Sequence, residues 1–106
     1  MGKYLLQVNY TTEGVNGVLK AGGTARQKAA ASLTESVGGT LESMYFAFGS
    51  TDVYAIADLP TPEAAAAVAL KVSASGAASV TTTVLLTPEQ IDAASDLQAE
   101  YSPPGT

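Results

Sequence analysis

The sequence predicts an α+β domain in which one antiparallel four-stranded sheet carries two helices on a single face, with a short helix following at the C-terminus. Three observations predict it. Four segments alternate apolar and polar residues in the manner of strands. Stretches with helix-start signals lie between the first and second strands and between the third and fourth. The chain has 106 residues, enough for one core and too few for two domains. A folded monomer of this size exposes roughly 5,500 Å² and buries on the order of 10,000 Å². Of the 46% of residues that are hydrophobic, many are alanine, so the core is thin and packing between subunits would help it.

The first strand is expected over Lys3 to Tyr10, with Tyr4, Leu6, Val8 and Tyr10 forming a firmly apolar face. The Gly-rich stretch from Thr11 to Gly23 reads as a connection with one irregular turn. Thr24 with Gln27 three residues on forms a capping box, and Ala29, Leu33 and Val37 then follow along one helical face until Gly38-Gly39 ends the helix. Thr40 to Phe48 and Asp52 to Leu59 read as a hairpin around a tight Gly49-Ser50-Thr51-Asp52 turn. Pairing Phe48 with Val53 would put Met44, Phe46, Phe48, Val53, Ala55, Ala57 and Leu59 on one face. Thr61-Pro62-Glu63 opens a second helix with a cap, a proline at the first position and an acid near the positive dipole end. That helix is apolar nearly all round, with Ala65, Val68, Ala69 and Val72 suited to the sheet. Val80 to Thr87 is the fourth strand, and Thr87-Pro88-Glu89-Gln90 starts a helix expected to reach about Glu100. The domain thus spans 1–100, with 101–106 as a flexible tail.

The order βαββαβ, closed by right-handed crossovers, is that of a ferredoxin-like fold. Its helices can cover only one side of the sheet. The other side is left with Leu5, Gln7, Asn9, Tyr45, Tyr54, Ile56 and Asp58 among its residues, too apolar for ordinary surface and too polar for a dry core. Faces of that kind serve subunit interfaces or ligand clefts.

Composition narrows the chemistry. With no cysteine there are no disulfides, thiolate nucleophiles or zinc-thiolate sites, and with no histidine the usual neutral-pH base and the commonest metal ligand are missing. No metal or cofactor is expected. A net charge of -5 with five Lys and Arg argues against nucleic acid as a partner, and the third strand, Asp52 to Asp58, lacks the basic and aromatic pattern of RNA-recognition domains. Neither a signal-peptide core nor a membrane span is expected, which points to a cytoplasmic protein without a membrane partner.

Six residues are candidate ligand-binding groups. Tyr45 and Tyr54 would lie diagonally near one another on the open face, with Gln7 and Asn9 on a neighbouring strand. Hydroxyls and amides there would orient a small carbonyl or phenolic ligand while the rings supply apolar contact, although tyrosine suits an interface equally well. Asp52, at the mouth of the hairpin, reads as a turn residue bonding backbone N–H groups, or else as an acid or anchor if desolvated. Asp58 is expected to point into the same face beside Ser43, or to reach water at the strand end. Catalytic residues are not identifiable. Lys20, Arg26 and Lys28 form the one basic grouping and read as a solvated helix face.

Tyr4 to Gly14, Gly38-Gly39-Thr40-Leu41, and Tyr45-Phe46-Ala47-Phe48-Gly49 leading to Asp52-Val53-Tyr54-Ala55-Ile56 together resemble the GYD-domain family. The family's glycine and aspartate match Gly49 and Asp52, and Thr51 stands where an aromatic precedes the aspartate. The resemblance implies a ferredoxin-like subunit of the dimeric α/β-barrel kind, with no assigned activity.

The expected function is therefore a small homo-oligomeric α/β-barrel protein, at least a dimer, that serves as a small-molecule-binding or interaction module. The alternative is a cofactor-independent oxygenase or isomerase acting on a small aromatic or carbonyl compound. That would require an enclosed pocket reaching the tyrosines, Asn9 or Gln7, and Asp52 or Asp58.

Overall fold

The structure, a computed structural model, describes residues 1–105; Thr106, the last residue of the expected tail, lies outside the described residues. The elements run β1 (Gly2–Tyr10), α1 (Thr12–Ala21), α2 (Gly23–Ser36), β2 (Thr40–Phe46), β3 (Val53–Leu59), α3 (Pro62–Ala74), β4 (Ala78–Leu85) and α4 (Pro88–Ser95). The strands form one antiparallel sheet in the order β2-β3-β1-β4, the ferredoxin-like arrangement. Within one chain the sheet is open and does not close into a barrel.

Alternation along β1 survives folding: Tyr4 and Leu6 are buried, and their neighbours Leu5 and Gln7 face the other way, half-exposed. The apolar side joins Ala55, Ala57 and Leu59 of β3 and Ala64, Ala65 and Val68 of α3 to make the core, with Leu33 and Val37 packed against it. Leu59 is fully enclosed. α3 starts as its cap requires, the Ala64 amide donating to Thr61 Oγ1 at 3.1 Å.

The segment from Thr11 to Gly23 is not an irregular connection but holds a full helix, α1. Thr11 caps it, accepting from the Gly14 amide, and its own hydroxyl donates to the carbonyl of Gly76, so the cap is also tied to the turn before β4. Glycine at position 14 costs helix propensity but permits close approach: a Cβ there would sit 2.1 Å from the Ala77 carbonyl oxygen and 2.8 Å from the Tyr10 ring. Tertiary contact outweighs propensity here. α2 begins one residue before Thr24 and is capped by Gly22 without a side-chain bond, so the expected capping box of Thr24 and Gln27 does not form. The end of α2 is as expected, with Gly38 in the left-handed region at φ 88°.

The β2–β3 connection is longer than a tight turn. Phe46, not Phe48, pairs with Val53, and Phe48 leaves the strand with φ 57° to stack on Phe46 at a centroid distance of 5.9 Å. Because the shift is two residues, the face assignment of Met44, Phe46, Val53 and Ala55 is preserved. An irregularity between Leu41 and Ser43 turns Leu41 to the core side as well. At the far end, β4 runs from Ala78 to Leu85 rather than from Val80 to Thr87. The capping box at Thr87 forms in full, but α4 stops at Ser95, short of Glu100. No residue of α4 is buried, and Ile91 and Leu97 lie open to solvent.

The chain exposes 6953 Å² and has a radius of gyration of 16.8 Å. A compact monomer of this length would expose roughly 5,500 Å² and measure about 13 Å.

Candidate functional site

Two surfaces compete as the site, one on each side of the sheet. On the open face Tyr45 stands directly opposite Tyr54, closer than the expected diagonal, because Phe46 and not Phe48 sets the register. Gln7 is the partner of Tyr54 on the other side, so Tyr45, Tyr54 and Gln7 form one row across β2, β3 and β1. Tyr45 is 71% exposed and Tyr54 38%, which leaves both rings available for contact.

Asn9 and Asp52 meet at the end of that face, in a knot of hydrogen bonds that ties the β2–β3 connection to β1. The Tyr10 amide donates to Asp52 Oδ2 at 2.8 Å, while the Asp52 amide donates to the Val8 carbonyl at 3.0 Å and to Asn9 Oδ1 at 3.2 Å. The Asp52 carbonyl accepts from Ala47 at 2.8 Å. Asp52 is thus occupied as a loop-fixing residue, the role its position in the turn suggests. Beside it Thr51 is buried, with Gln7 Nε2 reaching toward its hydroxyl at 3.5 Å. The position where the family places an aromatic therefore faces protein in this chain.

Asp58 sits at the opposite end of β3, paired in register with Lys3 and Thr40 rather than beside Ser43. Lys3 donates to Glu42 and lies 3.9 Å from Asp58 Oδ2, while Asp58 Oδ1 is buried without a hydrogen-bond partner. The hydrogen bond that Lys3 donates to Glu42 is the main reason that its ammonium titrates above the ordinary lysine value, with the charges of Glu42 and Asp58 adding to it. Among the described residues no cluster of acids is arranged to hold a metal ion.

The second surface lies on the helix side. α2 packs on β2, and α3 on β3 and β4, and between the helices a hollow remains over parts of β1 and β3. Ala29 and Ala30 of α2 and Val68 and Val72 of α3 are small or moderate in size beside Leu33, and a cavity of about 530 Å³ remains. α1 supplies a further wall through Gly14 and Gly17. The volume falls within the range of about 300–1,000 Å³ typical of small-molecule sites. The floor includes Leu6, Val8, Val53 and Ala55 of the sheet, and the charged lining residues Glu13, Arg26 and Lys71, all exposed, lie on three different helices around the mouth.

None of Gln7, Asn9, Tyr45, Tyr54, Asp52 and Asp58 lines this cavity, since all but the two acids project from the other side of the sheet and the acids are engaged at its two ends. In the single chain Tyr45 and Tyr54 face solvent on the side of the sheet away from this cavity. The sequence did hold a signal for the cavity wall: Val15, Val18 and Leu19 recur at helical spacing behind Thr11, but two glycines in the same stretch obscure it. Nothing local in the sequence marks the cavity floor, because it uses ordinary core residues.

Fold and surfaces together define a small ferredoxin-like α+β domain with a bare sheet face and a cavity of ligand size. Among the described residues no helix is long and apolar enough to cross a membrane. The family model of the GYD domain matches residues 4–95, and the chain belongs to the GYD-domain family. No curated protein and no solved structure matches it.

Proposed function

We propose that the protein is a homo-oligomeric small-molecule-binding module, at least a dimer, in which two copies pack open sheet face to open sheet face as a cytoplasmic α/β barrel. The observation that carries this is the row Tyr45, Tyr54 and Gln7 with Leu5 and Ile56 alongside, an apolar and hydrogen-bonding mixture left bare by every helix of its own chain. Tyrosine at a surface offers large apolar contact with a polar tip, the composition that protein interfaces favour. The surplus of accessible surface supports the same view. It is roughly 1,400 Å² above a compact monomer and includes the exposed α4 and the residues after it, against the roughly 800 Å² that one partner contributes to a standard interface. The half-filled helix side supports the binding role, since a cavity with apolar walls favours an apolar occupant over water.

Sedimentation velocity at low micromolar concentration tests the self-association. Wild-type protein should sediment as a dimer or larger, and Tyr54→Lys, which places a charge in the centre of the bare face, should sediment as a folded monomer. A wild-type monomer, or a Tyr54→Lys variant as fully associated as wild type, would contradict the sheet-to-sheet assembly.

A further inference from the structure

We infer that the helix-side cavity, and not the bare sheet face, is the ligand site, and that it takes a small molecule with an apolar body and a single anionic group such as a carboxylate. This rests on the small-molecule-binding reading above and not on the assembly. The apolar body follows from the floor and walls, which are Leu6, Val53, Leu33 and Val68. Two hydroxyls on the wall are already committed. Thr34 Oγ1 donates to the Ala31 carbonyl at 2.9 Å, and Ser75 Oγ donates to the Val72 carbonyl at 2.6 Å while accepting from the Ala77 amide at 3.2 Å. A polar ligand body would lose its hydration there for little return.

The anionic group follows from the mouth. The chain has five Lys and Arg against ten acids, yet Arg26 and Lys71 both border this opening and Glu13 is the one acid that does. Among the described residues neither cation has an ion-pair partner, although the protein as a whole is acidic. Glu13 lies in the first turn of α1, where the helix dipole offsets part of its charge. The mouth is therefore a locally positive rim on a negative molecule, which draws in an anion and turns its apolar end inward.

Amide chemical-shift mapping of ¹⁵N-labelled protein tests this with two matched probes, 1-naphthoate and uncharged 1-naphthamide. Both should shift Leu6, Leu33, Val53 and Val68, with naphthoate binding tighter by roughly five-fold, the scale of partly exposed charge pairs. The double variant Arg26→Gln/Lys71→Gln should abolish that ratio and leave naphthamide affinity intact. Gly17→Leu, at a wall position where an added Cβ meets open space, should weaken both probes without unfolding the chain. Shifts confined to Gln7, Tyr45 and Tyr54 would overturn the cavity as the site while sparing the small-molecule reading. Equal affinities in the wild type would overturn the anionic preference, and no shifts from either probe up to its solubility limit would overturn the site and remove the support it lends to a binding role.

Discussion

The two faces of this sheet are made by the same four strands, and their difference lies in what covers them. On one, α2 and α3 bury Tyr4, Leu6, Ala57 and Leu59; on the other, Tyr45 and Tyr54 stand in solvent. The covered face spends its small residues on close packing and is left with a hollow over parts of β1 and β3 between the two helices. The bare face carries the larger amphipathic side chains but no partner. One face is underfilled and the other uncovered; in the proposed assembly a ligand would fill the first and a second copy would cover the second.

Substitutions separate the two faces, and the largest effect belongs to the covered one. Leu59→Ala removes a fully enclosed side chain and should cost about 2–5 kcal/mol in urea unfolding, whether or not the protein self-associates. A cost within about 0.5 kcal/mol, the range of ordinary surface changes, would mean that the covered face is not the core. Next comes Asp52→Ala, which strips the acceptor from the Tyr10 amide and should cost about 1–3 kcal/mol. That loss would identify Asp52 as the residue that fastens the loop to β1. An unchanged unfolding midpoint together with lost naphthoate binding would instead make it a ligand residue.

The smallest effect lies at the edge of the bare face. Hydrogen bonding to Glu42, with the charges of Glu42 and Asp58, raises the Lys3 pKa in the folded protein above its ordinary value of 10.5. A raised folded pKa means that protonation favours the folded state, so the contribution is complete below 10.5 and is lost as pH rises through the raised value. Lys3→Gln should therefore lower the urea midpoint slightly near about pH 7 and by less near about pH 11. Equal differences at both would show that the ammonium contributes nothing through Glu42.

Much of this contrast was legible in the sequence because strand alternation and capping are local. Tyr4, Leu6, Ala55 and Leu59 fall on the expected side, and Thr61 and Thr87 cap the helices they were expected to cap. What escaped depends on contacts between distant segments. α1 was hidden because Gly14 and Gly17 are poor helix formers, and Gly14 is tolerated because Ala77 approaches where a side chain would stand. The register of β2 on β3 was set by the loop conformation at Phe48, which alternation cannot reveal. Tyr45, Tyr54 and Gln7 fall on the expected face, with Tyr45 opposite Tyr54 and not diagonal to it, but the cavity was out of reach of pattern reading. It arises from the spacing of two helices over a sheet, and its charged rim draws single residues from three elements.

Native mass spectrometry of freshly purified protein tests the account most directly, since it reports subunit number and retained small molecules together. Two or more copies per particle, carrying an extra mass that is lost when Gly17→Leu narrows the cavity, is the predicted result. A bare monomer at micromolar concentration would contradict it.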